Sequence, residues 1–162
     1  MHGVNDHATE QAVLAYVKLM RASHSVVNRV EPLVGEQGLT LTQLGVLEGI
    51  LHKGPMTHRE LGRKVLTSAG NMTDVVDKLE ARGLVRRVRA ISDRRQVRVE
   101  LTDEGRAMIE TLFPRHAQDI ARAMAGLDPD ELEHLGGLLR KLGIAAARGE
   151  GEADLVAVDG EP

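Results

Sequence analysis

Residues 57–105, THRELGRKVLTSAGNMTDVVDKLEARGLVRRVRAISDRRQVRVELTDEG, decide how this chain is read. Thr57-x-x-Glu60 is a capping box, in which a hydroxyl and a carboxylate reciprocally satisfy orphan N–H groups, and it predicts a short helix ending near Lys64 or Val65. Thr67 or Ser68 then caps a longer helix to about Arg82, with Met72, Val75, Val76 and Leu79 on its inward face. Gly83 is well placed as the stop of that helix. Beyond it the apolar period changes from about 3.6 to 2. Leu84 to Arg89 alternates, and Val97, Val99 and Leu101 alternate against Gln96, Arg98 and Glu100. Ala90-Ile91-Ser92-Asp93-Arg94-Arg95 forms the tip between these two strands. Thr102-Asp103-Glu104 opens another helix, with its acids at the positive end of the dipole. Helix, tight turn, helix, hairpin and helix start, in that order, predict a winged helix-turn-helix.

The flanks are helical. From about Thr9 to Val30 the residues Val13, Leu14, Val17, Met20, Val26, Val27 and Val30 recur at helical spacing, and Pro32 with Gly35 is expected to end that run. Thr40-x-x-Gln43 is another capping box, followed by Leu44, Leu47, Ile50 and Leu51 on one face, until Gly54-Pro55. The helix from Thr102 is expected to reach about Ala125, with a bend at Pro114. Asp128-Pro129-x-Glu131 starts a last helix striped by Leu132, Leu135, Leu138, Leu139 and Leu142. The expected fold class is mainly α with a small β-hairpin wing. Residues 1–8 are expected to be flexible, 9–146 to form one domain with its winged part at about 38–102, and 147–162 to be an acidic, disordered tail.

Composition narrows the function. The chain has 162 residues, only two aromatics, Tyr16 and Phe113, and no cysteine. A disulfide framework, a thiolate zinc site and a cysteine redox switch are therefore excluded. The acids Asp6 and Glu10 near the start argue against a signal peptide, and no apolar run approaches the roughly 18 residues of a membrane span. A cytoplasmic location is expected. The net charge of −3 hides a segregation, because residues 57–101 hold eleven bases against six acids. An acidic body with one basic module suits a protein that turns one face to a polyanion.

That polyanion is expected to be duplex DNA. A recognition helix must offer small or polar side chains at its front to enter a major groove about 12 Å wide. Here the front and exposed positions are Thr67, Ser68, Ala69, Gly70, Asn71, Thr73 and Asp74, with Lys78 one turn further on. Gly70 costs roughly 1 kcal/mol of helix propensity. Close approach to another surface would explain it, and so would packing of Gly70 and Ala69 against the preceding helix. At the wing, Arg94 and Arg95 can enter a narrow minor groove, Asp93 can orient one of them, and Arg89 stands at the strand end. Arg86, Arg87, Arg98, Lys64 and Lys78 are read as phosphate contacts or ordinary surface charges.

The seven histidines form neither a His-Glu-x-x-His motif nor a pair at i, i+4 on one helix, so no metal site and no cofactor are expected. No nucleophile elbow, phosphate loop or paired carboxylates mark an enzyme.

The chain resembles the MarR family of bacterial transcription regulators. The resemblance is carried by Leu39-Thr40-Leu41-Thr42-Gln43-Leu44-x-Val46-Leu47, by Glu60-Leu61-Gly62, and by Asn71-Met72-Thr73-x-Val75-Val76-Asp77-x-Leu79-Glu80-x-Arg82-Gly83-Leu84-Val85-Arg86-Arg87. It closes with Asp93-Arg94-Arg95-x-Val97-x-Val99-x-Leu101-Thr102-x-Glu104-Gly105. The resemblance implies a homodimer joined through helices at about 9–30 and 103–146 and bound to a pseudo-palindromic operator. It further implies repression relieved by a small, often aromatic, effector, with Tyr16, Met20, His24, Val27, Leu112 and His116 as candidates for the pocket wall. The missing cysteine excludes the family's thiol-based peroxide sensing. The rival readings are a winged-helix adaptor for protein contacts, against which the basic wing tip argues, and a small helical enzyme.

Overall fold

The computed structural model describes residues 7–65, 69–89 and 96–148. Six helices and a small sheet follow in the order α1 (His7–Glu36), α2 (Leu41–Lys53), β1 (Met56–Thr57), α3 (His58–Lys64), α4 (Ala69–Ala81), β2 (Val85–Arg89), β3 (Val97–Leu101), α5 (Asp103–Met124) and α6 (Pro129–Arg148). The expected class, mainly helical with a hairpin wing, is the one found. The sheet has a third strand that the sequence reading lacked: β1 pairs antiparallel with β3, Met56 opposite Val99, so the order is β1-β3-β2. A two-residue strand carries no periodicity, which is why it was not legible.

The capping boxes form as read. Thr40 and Gln43 exchange bonds of 2.9 and 3.2 Å at the start of α2. Thr57 and Glu60 do the same at α3, at 2.7 and 3.3 Å. The Thr57 N–H, foremost, holds the Glu60 carboxyl below the usual carboxylate range. Asp128 and Glu131 close a third box at α6, both bonds at 2.9 Å.

The end of α1 needs correction. Pro32 does not stop it; the helix runs through to Glu36. Proline costs a helix about 3 kcal/mol, but Val30 and Val34 on the same turns are buried in the core, and that packing holds the last turns. The actual stop is Gly38, at φ 65, with Leu39 N bonded to Val34 O and Gly38 N to Gly35 O, a Schellman closure. Gly83, at φ 70, ends α4 by the same device, with Leu84 N on Leu79 O.

The core lies where α2, α3, α4, the sheet and the first half of α5 meet: Leu47, Ile50, Leu61, Met72, Val76, Leu79, Val85, Val99 and Ile109 are almost wholly buried. Only the C-terminal end of α1 joins it. Val13, Leu14, Tyr16, Val17 and Met20 along the rest of that helix stay exposed, and so do Leu132, Leu138, Leu139 and Leu142 on α6. No helix among the described residues is long and apolar enough to cross a membrane.

Candidate nucleic-acid interface

Helix α4 is amphipathic in the sense the sequence requires. Met72, Val75, Val76 and Leu79 are buried, so Gly70, Asn71, Thr73, Asp74, Asp77 and Lys78 are turned outward. α3 packs against it, with Leu61 and Gly62 buried at the crossing. A Cβ built on Gly70 meets nothing within 4 Å. Among the described residues, packing against the preceding helix therefore does not explain this glycine. Thr67 and Ser68 lie outside the described residues, as do Asp93, Arg94 and Arg95 of the wing tip. Arg89, opposite Val97, is exposed at the last described position of β2.

The basic side chains divide by use. Lys78 is exposed and pairs with Asp74 at 2.7 Å, one turn back on the same face. Arg86 reaches Glu100 across the ladder at 2.5 Å. Arg98 donates to the Pro55 carbonyl at 3.0 Å. Lys64 lies along Gly49, with Glu48 at 4.0 Å. Arg82 donates to the carbonyls of Gly38 at 2.5 Å and Gln37 at 2.9 Å, fastening the end of α4 to the end of α1. Arg87 is held by Asp77 and Glu80 of α4. Arg82, Arg87 and Arg98 thus build the fold. Local periodicity gives no sign of this, since their partners stand 7 to 45 residues away in sequence.

His58 Nε2 lies 3.5 Å from Arg87 Nη2. Burial, reinforced by the Arg87 charge, holds the His58 ring below the ordinary histidine value, against the opposite pull of Asp77 and Glu80. The neutral ring is thus the form the fold prefers. Its contribution is complete above the unfolded value of about 6.5 and is lost as pH falls from there through the lower folded value. Urea midpoints measured between about pH 7.5 and 5 should decline less steeply in His58→Gln than in the parent; parallel declines would show that this ring is not the group responsible.

Thr102 caps α5 and joins three elements. Its hydroxyl accepts from Gly105 N at 3.0 Å and donates to Gly83 O at 2.6 Å, while its N–H donates to Leu84 O at 3.1 Å. The effector-pocket candidates fall into two groups. Tyr16, Met20, His24 and Val27 lie exposed on α1, whereas Leu112 and His116 are buried on α5. His116 Nδ1 is buried without a hydrogen-bond partner. Among the described residues no group of three or more His, Asp or Glu could hold a metal ion.

A buried-backed helix presented behind a helical turn, followed by an arginine-edged hairpin, defines a winged helix-turn-helix of the DNA-reading class. Residues 39–97 match the model of the MarR family. The chain is 38% identical to the HTH-type transcriptional regulator YkoM of Bacillus subtilis, over 86% of this chain and 91% of that one. Among solved structures, the PcaV transcriptional regulator of Streptomyces coelicolor, in complex with its natural ligand, is 31% identical with a TM-score of 0.69, covering 90% of this chain and 99% of that one. BpsR of Bordetella bronchiseptica, whose DNA binding is regulated by 6-hydroxynicotinic acid, is 26% identical with a TM-score of 0.72, covering 88% and 96%. The chain belongs to the MarR family of winged-helix transcriptional regulators.

Proposed function

We propose that the chain is a homodimeric repressor that binds a pseudo-palindromic operator and is released from it by a small aromatic effector. The observation that carries the DNA-binding part is the outward face of α4, polar from Asn71 to Lys78 and bare at Gly70. Thr67, Ser68, Ala69, Gly70, Asn71, Thr73, Asp74 and Lys78 are proposed to meet the major groove, and Arg89, Asp93, Arg94 and Arg95 the adjacent minor groove. The dimer is supported by the exposed apolar faces of α1 and α6, since contiguous exposed apolar surface marks an interaction site. Two copies would set two recognition helices one helical turn of DNA, about 34–36 Å, apart.

The ligand response of BpsR and the ligand complex of PcaV support an effector for this chain as well. The proposed wall is Tyr16, Met20, His24 and Val27 from α1 with Leu112 and His116 from α5, of which His116 has a buried Nδ1 without a hydrogen-bond partner. The test is to select bound fragments from genomic DNA and then to screen aromatic acids and phenols for release. Recovery of no preferred fragment would refute the operator, and release by none of the compounds would refute the effector.

Arg95→Ala should weaken binding to the selected fragment by about 1–3 kcal/mol if this side chain reads the groove. Affinity should also fall steeply with salt, because each neutralised phosphate releases counterions. Titration by fluorescence anisotropy at several salt concentrations reads both; a flat salt response would contradict phosphate-dominated binding.

A further inference from the structure

Arg87 stands at the root of the wing, opposite Val99 in the β2–β3 ladder. Because the sheet order is β1-β3-β2, β2 is an edge strand, and its outward N–H groups need partners from elsewhere. Glu80 of α4 supplies one: its Oε1 accepts the Arg87 backbone N–H at 3.0 Å, while its Oε2 accepts from Nη1 of the same residue. Asp77, nearly one turn earlier on α4, accepts from Nη2 at 2.5 Å. One guanidinium therefore bridges two carboxylates of the helix, and one of those carboxylates also holds the strand's main chain. Arg87 is three-quarters covered, whereas Arg86 beside it is largely exposed.

A phosphate contact must present a free positive head to the DNA backbone. Arg87 does not; its charge is already matched by two acids. A planar fork with both arms occupied suits geometric fixing instead. We propose that Arg87 is a positioning residue, which sets the recognition helix against the root of the wing so that both enter their grooves together. This role presupposes the DNA-binding role proposed above. It differs from that role in assigning Arg87 no contact with DNA.

Two effects separate the roles. Loss of a phosphate contact lowers the slope of log affinity against log salt by about one. Loss of a positioning contact leaves the slope in place and lowers affinity at every salt concentration. The probe is a duplex enriched from a random-sequence pool by the wild-type full-length protein. Arg87→Gln is expected to bind it roughly tenfold more weakly, in keeping with couplings between residues of one network, with the salt slope of the parent and a folded circular dichroism spectrum. Arg87→Lys should retain part of the affinity, since it keeps a positive charge between Asp77 and Glu80 and leaves Glu80 to accept the main-chain N–H.

If Arg87→Gln does not fold, Glu80→Gln decides, because it keeps the arginine and loosens only its partner. Positioning predicts weaker binding for Glu80→Gln. A phosphate role predicts equal or tighter binding, from an arginine set free, and would overturn the assignment. A reduced salt slope in Arg87→Gln, or an affinity equal to that of the parent, would overturn it too while leaving DNA binding intact. A wild-type protein that enriches no duplex would overturn the DNA-binding reading and this role with it.

Discussion

Gly105→Ala is expected to lose about 3 kcal/mol of stability, the upper end of what overpacking costs. A Cβ at this position would lie 1.8 Å from the carbonyl oxygen of Leu84 and 2.8 Å from its carbonyl carbon. The obstacle is main chain, so no rotamer change removes it. Nor can Leu84 retreat easily: its N–H is bonded to Leu79 O, its carbonyl accepts from Thr102, and its side chain is buried. The damage should therefore reach the end of α4, the start of β2 and the cap of α5 at once. Gly70→Ala is the control, because its Cβ would stand in open space; it should be neutral or more stable by roughly 0.5–1 kcal/mol. Denaturant titration of both variants checks this. An unchanged midpoint for Gly105→Ala would mean that the first turn of α5 shifts freely, contrary to the bonding around Thr102.

The other large effect belongs to α6. Among the described residues, this helix of 20 residues makes no substantial contact with any other element. Most helical stability in proteins comes from tertiary packing of an amphipathic face, yet Leu138 and Leu142 are each about half exposed (51% and 53%). A partner that covers them accounts for both facts. Leu138→Glu combined with Leu142→Glu should yield a monomer in sedimentation velocity. It should also lose on the order of 10²–10⁴ in operator affinity, the contribution of joining two binding modules. A double variant that sediments as a dimer, or a monomer that binds as the parent does, would remove the proposed dimer surface.

Much of the fold was legible because the informative signals were local. Capping boxes span four residues, Gly83 follows its helix directly, and the change of period at Leu84 is visible within one turn. What failed was decided at a distance. Pro32 reads as a stop until Val30 and Val34 are known to lie in the core. Met56 and Thr57 give no strand signal until β3 is set beside them. The site shows the same division. The inward and outward faces of α4 were readable from spacing, whereas the space around Gly70 was not, because packing against the preceding helix accounted for that glycine equally well. The allocation of arginines was not, since Arg82, Arg87 and Arg98 look like surface cations until the groups that hold them are brought close by the tertiary fold.

The long helices hold the recognition helix at its C-terminal end. Arg82 ties its last turn to α1, and the Thr102 bonds tie the residues just beyond it to α5. Its 13 residues extend about 20 Å from that pivot to the tip that faces outward. With such a lever, each degree of rotation at the pivot sweeps the far end through roughly 0.3 Å, so a tilt of ten degrees moves it about 3 Å, the length of a hydrogen bond. Rearrangements in the long helices too small to disturb their own packing would thus be magnified where the side chains of Asn71 and Thr73 are displayed.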